Sequence, residues 1–414
     1  MKWIMLAYLI LNPLFFMVDF DQRCVQQIFF QLSSVTVFSL GLFFRQKELK
    51  FSKLNASIGI LMIAFIFAWL RNLQGWNNGG GLNLLLGIMV YITVIKTMDK
   101  KDTTFVLRGL GIFTAFCVVI LALQVGCKWD YRGARPLYGT TDAPSESIFF
   151  QRSAMGMYFA QIIPSLFAIT PLSILFLFPM LWSESSAAFG GAFIGILFFM
   201  WHRKRIMFWV MIGVFIILST ISYSIPKVRD ETLRGVTARA YIFPTITQDI
   251  VRFPLGHGLD SFANPPSGLC RYYVWTIPER AISTAKEFGV TSKEYPIKLR
   301  RVGNDFIGNT EKDQKIARYV EQIEDGLTWF EHPHNEYLWL GYEVGVHAWV
   351  ILGFIVYFIW QRFKFSRRDV LTVASMSVLI IYATESMLQF PFHLSRVACF
   401  FPFILGVFYI ATED

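Results

Sequence analysis

The sequence predicts an all-α polytopic membrane protein of about 12 transmembrane helices, with a large, mostly helical extracytoplasmic loop. Three observations carry that expectation. The chain is 54% hydrophobic and 17% aromatic, above the roughly 45–50% apolar share of ordinary soluble domains. Apolar runs of about 17 to 22 residues recur along most of its length. The period-two alternation of a barrel strand is missing, and lipid admits only helices or closed barrels as spanning structures.

Taken in order, the spans fall near residues 2–18, 25–44, 54–70, 82–98, 105–126, 153–169, 171–184, 186–201, 206–224, 336–360, 370–388 and 392–411. The first reads as a retained span, because no small-residue cleavage site precedes Asp19 and Asp21. The sixth to eighth are crowded between Ser153 and Trp201, where Pro164, Pro171 and Pro179 kink or end helices. Short-loop charge sets the orientation. Arg45, Lys47, Lys50 and Lys53 form one basic cluster, and Lys96, Lys100 and Lys101 a second. Arg203, Lys204 and Arg205 form a third, and Arg362, Lys364, Arg367 and Arg368 a fourth. With this span count all four share one side, which the positive-inside bias makes cytoplasmic. Both termini are then inside, and segments 127–152 and 225–335 lie outside, which in a bacterium means the periplasm or cell exterior.

Three regions follow: an N-terminal bundle over 1–224, a periplasmic catalytic cap over 225–335, and three C-terminal spans over 336–414. The net charge of +9 reads as topology. Scattered short basic turns without a continuous basic domain argue against nucleic-acid binding. Five cysteines do not make a disulfide framework. Cys127 and Cys270 both fall outside and could pair; two unrelated thiols is the other reading. No internal repeat is visible.

The 225–335 segment is too long for a plain connector, so it is functional, folded or disordered. Its Tyr272, Tyr273, Trp275, Phe288, Phe306 and Trp329 argue against disorder. Ile316, Tyr319, Val320 and Ile323 share one face of an expected surface helix over 311–325.

Chemistry concentrates where this loop re-enters the membrane, at His332-Pro333-His334-Asn335-Glu336-Tyr337-Leu338-Trp339. Proline at the first helical position loses no hydrogen bond, so the run suits a helix start with His334 in the first turn. The positive end of the helix dipole keeps an imidazole neutral there and available as a base. The bland alternative is a capping or interfacial His. Gly341 and Gly345, four apart, would let another helix approach. Upstream, Arg239 precedes Phe243 by four residues, and Phe253-Pro254-Leu255-Gly256-His257-Gly258-Leu259-Asp260-Ser261-Phe262 follows. A guanidinium at the membrane surface matches diphosphate geometry, against the plainer reading of a solvated or snorkelling charge. Arg396 within the last span and Arg152 opening the sixth are similar cases.

The His334-Asn335 pair, nine residues and Gly345 resemble the signature of the O-antigen ligase and polymerase superfamily. The Arg239–Phe243 spacing, the Pro254, Gly256, Gly258 and Phe262 run, and Glu385-Ser386-Met387-Leu388-Gln389-Phe390-Pro391-Phe392 resemble further family features in the expected order. Residues 1–149 are similar only in hydrophobic layout. One place departs: Ser183-Glu184-Ser185-Ser186-Ala187-Ala188 lacks the Arg that often follows Ser in the family. The resemblance implies a C-type glycosyltransferase-like architecture and a metal-independent enzyme without a cofactor. It implies a donor glycan linked to undecaprenyl diphosphate. In an inverting displacement His334 would be the base, Arg239, Arg396 and Arg152 would hold the diphosphate, and Asn335, Gly345 and His332 would support the motif.

The acceptor is open between lipid A-core for a ligase, a glycan chain for a polymerase and a protein for an oligosaccharyltransferase. The compact loop and span layout favour the ligase, and the missing Ser-Arg pair weighs against it. Two rivals stand beside this reading. His257, His332 and His334 could hold a metal, although no Asp-x-Asp pair supports it. A polytopic transporter shares the layout but would place its ionisable groups near mid-membrane.

Overall fold

The computed structural model describes residues 1–14, 22–44, 47–48, 52–72, 80–127, 152–167, 169–170, 176–177, 180, 185–224, 243–244, 246–259, 261–262, 271–275, 297–302, 305–308, 327–329, 335–389, 391 and 398–413. Its helices are α1 (Lys2–Leu14), α2 (Gln22–Gly41), α3 (Lys53–Arg71), α4 (Gly80–Thr97), α5 (Lys100–Cys127), α6 (Arg152–Phe167), α7 (Ser186–Arg203) and α8 (Arg205–Ser224). After the long loop come α9 (Glu336–Glu343), α10 (Val346–Phe365), α11 (Val370–Glu385) and α12 (Phe400–Ala411).

The outward faces show what solvent these helices are made for. Ile112, Phe116 and Val119 on α5, Ile206, Trp209 and Val210 on α8, and Val350, Phe354 and Tyr357 on α10 are all exposed. Apolar bands of this kind are a liability in water and the solvated surface in lipid. Among the described residues, Lys53–Arg71, Lys100–Gln124 and Val346–Phe365 are long and apolar enough to cross a bilayer, and eight shorter apolar helices accompany them. The protein is a helical membrane protein.

Two compact units divide the chain. The first comprises Met1–Ile58, Gly79–Phe215 and Phe354–Asp414. Here α11 packs on α6 and α7, α12 on α4 and α11, and α1 on α2 and α5. Two pairs of hydroxyls meet between helices: Tyr8 and Ser34 share a hydrogen bond of 3.0 Å, and Thr114 and Tyr158 one of 2.8 Å. Helix starts are capped, with Ser185 accepting from the Ala188 N–H and Asp369 from the Thr372 N–H. Ser185 thus has a structural role in the stretch that lacks the family's Arg.

The second unit comprises Gly59–Asn78 and Ile216–Gly353. It holds a four-stranded antiparallel sheet in the order β3-β2-β1-β4. The strands are β1 (Arg271–Trp275), β2 (Ile297–Val302), β3 (Asp305–Gly308) and β4 (Leu327–Trp329), with Tyr273 opposite both Ile297 and Trp329. The expectation of a mostly helical loop did not include these strands, which stand among the described residues of 225–335 beside helical turns at 246–252. Arg-Tyr-Tyr-Val-Trp is a sequence of strand-forming aromatic and β-branched residues, so the aromatics that argued against disorder were signalling a sheet. The expected surface helix at 311–325 and Cys270 lie outside the described residues.

A correction concerns the tenth span. Residues 336–360 are not one helix. Gly345 has φ +118°, a conformation that ends α9 and lets α10 start afresh at Val346. Gly341 is approached by the separate helix α10 that this break creates. It faces the Trp349 ring of α10, which a side chain at Gly341 would strike.

Candidate functional site

The re-entry helix α9 is built from its first residue. Asn335 is the N-cap, extended at φ −158°, and its side-chain oxygen accepts from the Leu338 N–H at 3.0 Å. The cap makes Glu336 the first helical residue, three positions after Pro333, where the sequence suggested the helix would start. The indole of Trp349 donates to the Tyr337 carbonyl at 2.7 Å, folding α10 back along α9. Phe65 of α3 stacks near Trp339, ring centroids 6.0 Å apart.

The decisive geometry is where α9 ends. The Pro254–Leu259 segment lies against it backbone to backbone. The His257 N–H donates to the Tyr342 carbonyl and the Gly258 N–H to the Glu343 carbonyl, both at 2.9 Å. From the other side the Val346 N–H donates to the Pro254 carbonyl at 2.9 Å. Gly256, at φ +77°, approaches so closely that a Cβ would stand 2.5 Å from the Glu343 carbonyl oxygen. A Cβ on Gly345 would stand 2.7 Å from the Pro254 carbonyl oxygen. Both glycines therefore meet two demands at once: a left-handed backbone and an approach with no room for a side chain.

Side chains reinforce this clasp. Glu343, 2% exposed, accepts the Phe262 N–H on its carboxylate at 3.1 Å. Beneath it, Ile246, Ile250, Phe262 and Tyr342 form an apolar cluster flanked by Phe243, Leu338, Val346 and Trp349. The far edge of the segment is tied to the end of α3. The Asn72 amide donates to the Leu259 carbonyl at 2.7 Å, the Leu259 N–H donates to the Ala68 carbonyl at 3.2 Å, and the Arg71 guanidinium donates to the Leu255 carbonyl.

His257 sits between aromatic rings, centroids 4.6 Å from Phe253 and 4.5 Å from Tyr342. Its Nε2 is buried and finds no hydrogen-bond partner among the described residues. Burial pushes the imidazole below its ordinary pKa; Asp249 opposes the shift and the Arg71 charge adds to it.

The structure brings together Asn335, Gly345, Phe243 and the Pro254–Phe262 run. His334, His332, Arg239 and Arg396 lie outside the described residues, and Arg152 is described only as the first residue of α6. Sequence reasoning missed Glu343, Asn72 and Arg71. Glu343 follows Glu336 by seven residues, which puts both carboxylates on one face of α9, and both are buried. An acid repeating at seven beside a re-entry motif was the available signal. Asn72 and Arg71 gave none, being distant in sequence from the segment they hold.

No curated protein matches this chain. Residues 171–353 match the family model described as O-antigen ligase. That span takes in Arg239, the Pro254–Phe262 run, His334-Asn335 and Gly345. The match supports a likeness of this stretch to the O-antigen ligase/polymerase superfamily.

Proposed function

We propose that the protein transfers a glycan from an undecaprenyl-diphosphate carrier to an acceptor hydroxyl at the periplasmic face of the inner membrane, as an O-antigen ligase acting on lipid A-core. The observation that supports this best is the clasp itself. It fixes α9, the helix that follows His334-Asn335 in sequence, on the Pro254–Phe262 segment.

In this reading His334 removes the proton of the acceptor hydroxyl. The oxygen attacks the anomeric carbon, the bond to the carrier phosphate breaks, and undecaprenyl diphosphate leaves with inversion. Arg239, with Arg396 and Arg152, takes up the charge building on that diphosphate. Each well-placed donor in such a site contributes on the order of 3–4 kcal/mol to the transition state. Residues 225–335 form the cap over this site, and both termini are cytoplasmic. The mechanism uses no metal, so exhaustive chelation is expected to leave turnover unchanged, whereas lost turnover restored by one divalent ion would overturn that part.

The acceptor is tested by incubating purified protein and lipid-linked glycan with lipid A-core, free glycan or a protein acceptor, following diphosphate release. Transfer to lipid A-core alone identifies the ligase. Elongation of the glycan or labelling of the protein would replace it with the polymerase or oligosaccharyltransferase. Uptake of a solute without transfer would instead favour a transporter.

A further inference from the structure

Two turns of the first unit meet at Phe363. One joins α7 to α8 through Lys204 alone, and the other joins α10 to α11 over 366–369. The buried Phe363 ring of α10 takes the His202 ring of α7 edge-on, centroids 5.3 Å apart, with Phe198 at the same distance. The Arg368 guanidinium lies 5.4 Å from the centroid of that same ring. The end of α7 and the α10–α11 turn therefore share one side chain, which brings two basic trios to one rim. Arg203, Lys204 and Arg205 form the first, and Lys364, Arg367 and Arg368 the second. All six are exposed.

Positive charge at this end of the helices is the ordinary mark of membrane orientation. Orientation asks only for a count of cations, not for their convergence or for the aromatic setting found here. The Arg205 guanidinium lies over the Trp201 ring, 5.4 Å from its centroid. Trp201, Trp209 and Trp360 are exposed within a turn of the trios, and tryptophan at such a level marks the boundary between lipid headgroups and tails. Next to the cations, Ile206 and Val210 of α8 and Val356 and Tyr357 of α10 are exposed. Residues 198–215 and 354–370 contain a single acid, Asp369. It caps α11 and stands 3.9 Å from Lys100. Glu413 and Asp414 follow Thr412, whose hydroxyl accepts from Arg362 at 3.1 Å. Counted in full, these acids still leave the rim with an excess of positive charge, and the described ion pairs engage none of the six cations.

We infer that this rim is a binding site for an anionic phospholipid, with its phosphate between the two trios and its tails along the outward faces of α8 and α10. Guanidinium groups match phosphate oxygens in geometry as well as charge, and basic side chains beside membrane helices attract anionic headgroups. The apolar wall adjoining the charges selects a lipid over a soluble anion or a nucleic acid, either of which would leave that wall unused. The inference is independent of the transfer reaction.

The test is native mass spectrometry of the purified full-length protein in detergent. The protein is titrated with phosphatidylglycerol, phosphatidylcholine or inorganic phosphate, and bound adducts are counted. Wild type is expected to retain phosphatidylglycerol in preference to phosphatidylcholine. Arg205→Gln with Arg368→Gln, one from each trio, is expected to weaken that binding about thirtyfold. Lys53→Gln with Arg108→Gln removes the same charge from exposed positions on α3 and α5 and is expected to leave it intact. Arg203→Gln with Arg367→Gln repeats the test on the same trios if the first pair does not fold. Equal retention of the two lipids overturns the site. So does an equal loss in the α3–α5 pair, or inorganic phosphate bound as tightly as phosphatidylglycerol.

Discussion

Gly256 and Gly345 carry the tightest local constraint in the second unit, because each combines positive φ with backbone atoms inside the reach of a Cβ. Substitution of either by Ala is expected to cost about 2 kcal/mol or more, since strain and displacement add. The thermal midpoint and the transfer rate should fall together, and an Ala variant as stable as wild type would contradict the clasp. His257 makes a prediction of different sign structure. Its pKa is lowered on folding, so the unfolded chain binds the proton more readily below the ordinary imidazole value of about 6.5. Stability is therefore full above that value and declines as pH falls from it through the lowered folded pKa. His257→Phe should flatten this decline in a pH series of midpoints, and an unchanged slope would remove His257 as its source. At this scale the sequence was partly legible. The spacing of Gly345 from His334-Asn335 and the Pro254–Phe262 run pointed to the right segments, but not to their contact, which rests on residues far apart in the chain.

At the scale of elements, α9 is short and depends on its ends. Asn335 caps its start and Gly345 closes it. Asn335→Ala is expected to cost about 1 kcal/mol through the lost cap, with Asn335→Asp close to wild type. Comparing the two midpoints checks it. Apolar length placed most helices well, since a bilayer imposes length directly on composition. It failed at 336–360 because hydropathy does not register a left-handed glycine, and a helix–break–helix looks as apolar as one span. It failed again in the loop, where aromatic residues were counted against disorder without being tested for period two. Glu343 was missed for a related reason, with only its seven-residue spacing from Glu336 to mark it. The backbone N–H it accepts lies 81 positions away, which no local pattern records.

At the scale of the molecule, composition was the strongest guide, and the exposed apolar faces of α5, α8 and α10 confirm the solvent it implied. The likeness to the O-antigen ligase/polymerase superfamily rests on residues 171–353, the stretch that supplies α9 and the Pro254–Leu259 segment of the clasp. The chemistry proposed for it hangs on His334. The most direct measurement compares wild type with His334→Ala in glycan transfer from a purified undecaprenyl-diphosphate-linked donor, with donor binding followed in parallel. General-base help is worth about 10²–10⁴ in rate, so transfer should fall by that factor while donor binding is retained. Undiminished transfer by His334→Ala would contradict the account at its centre.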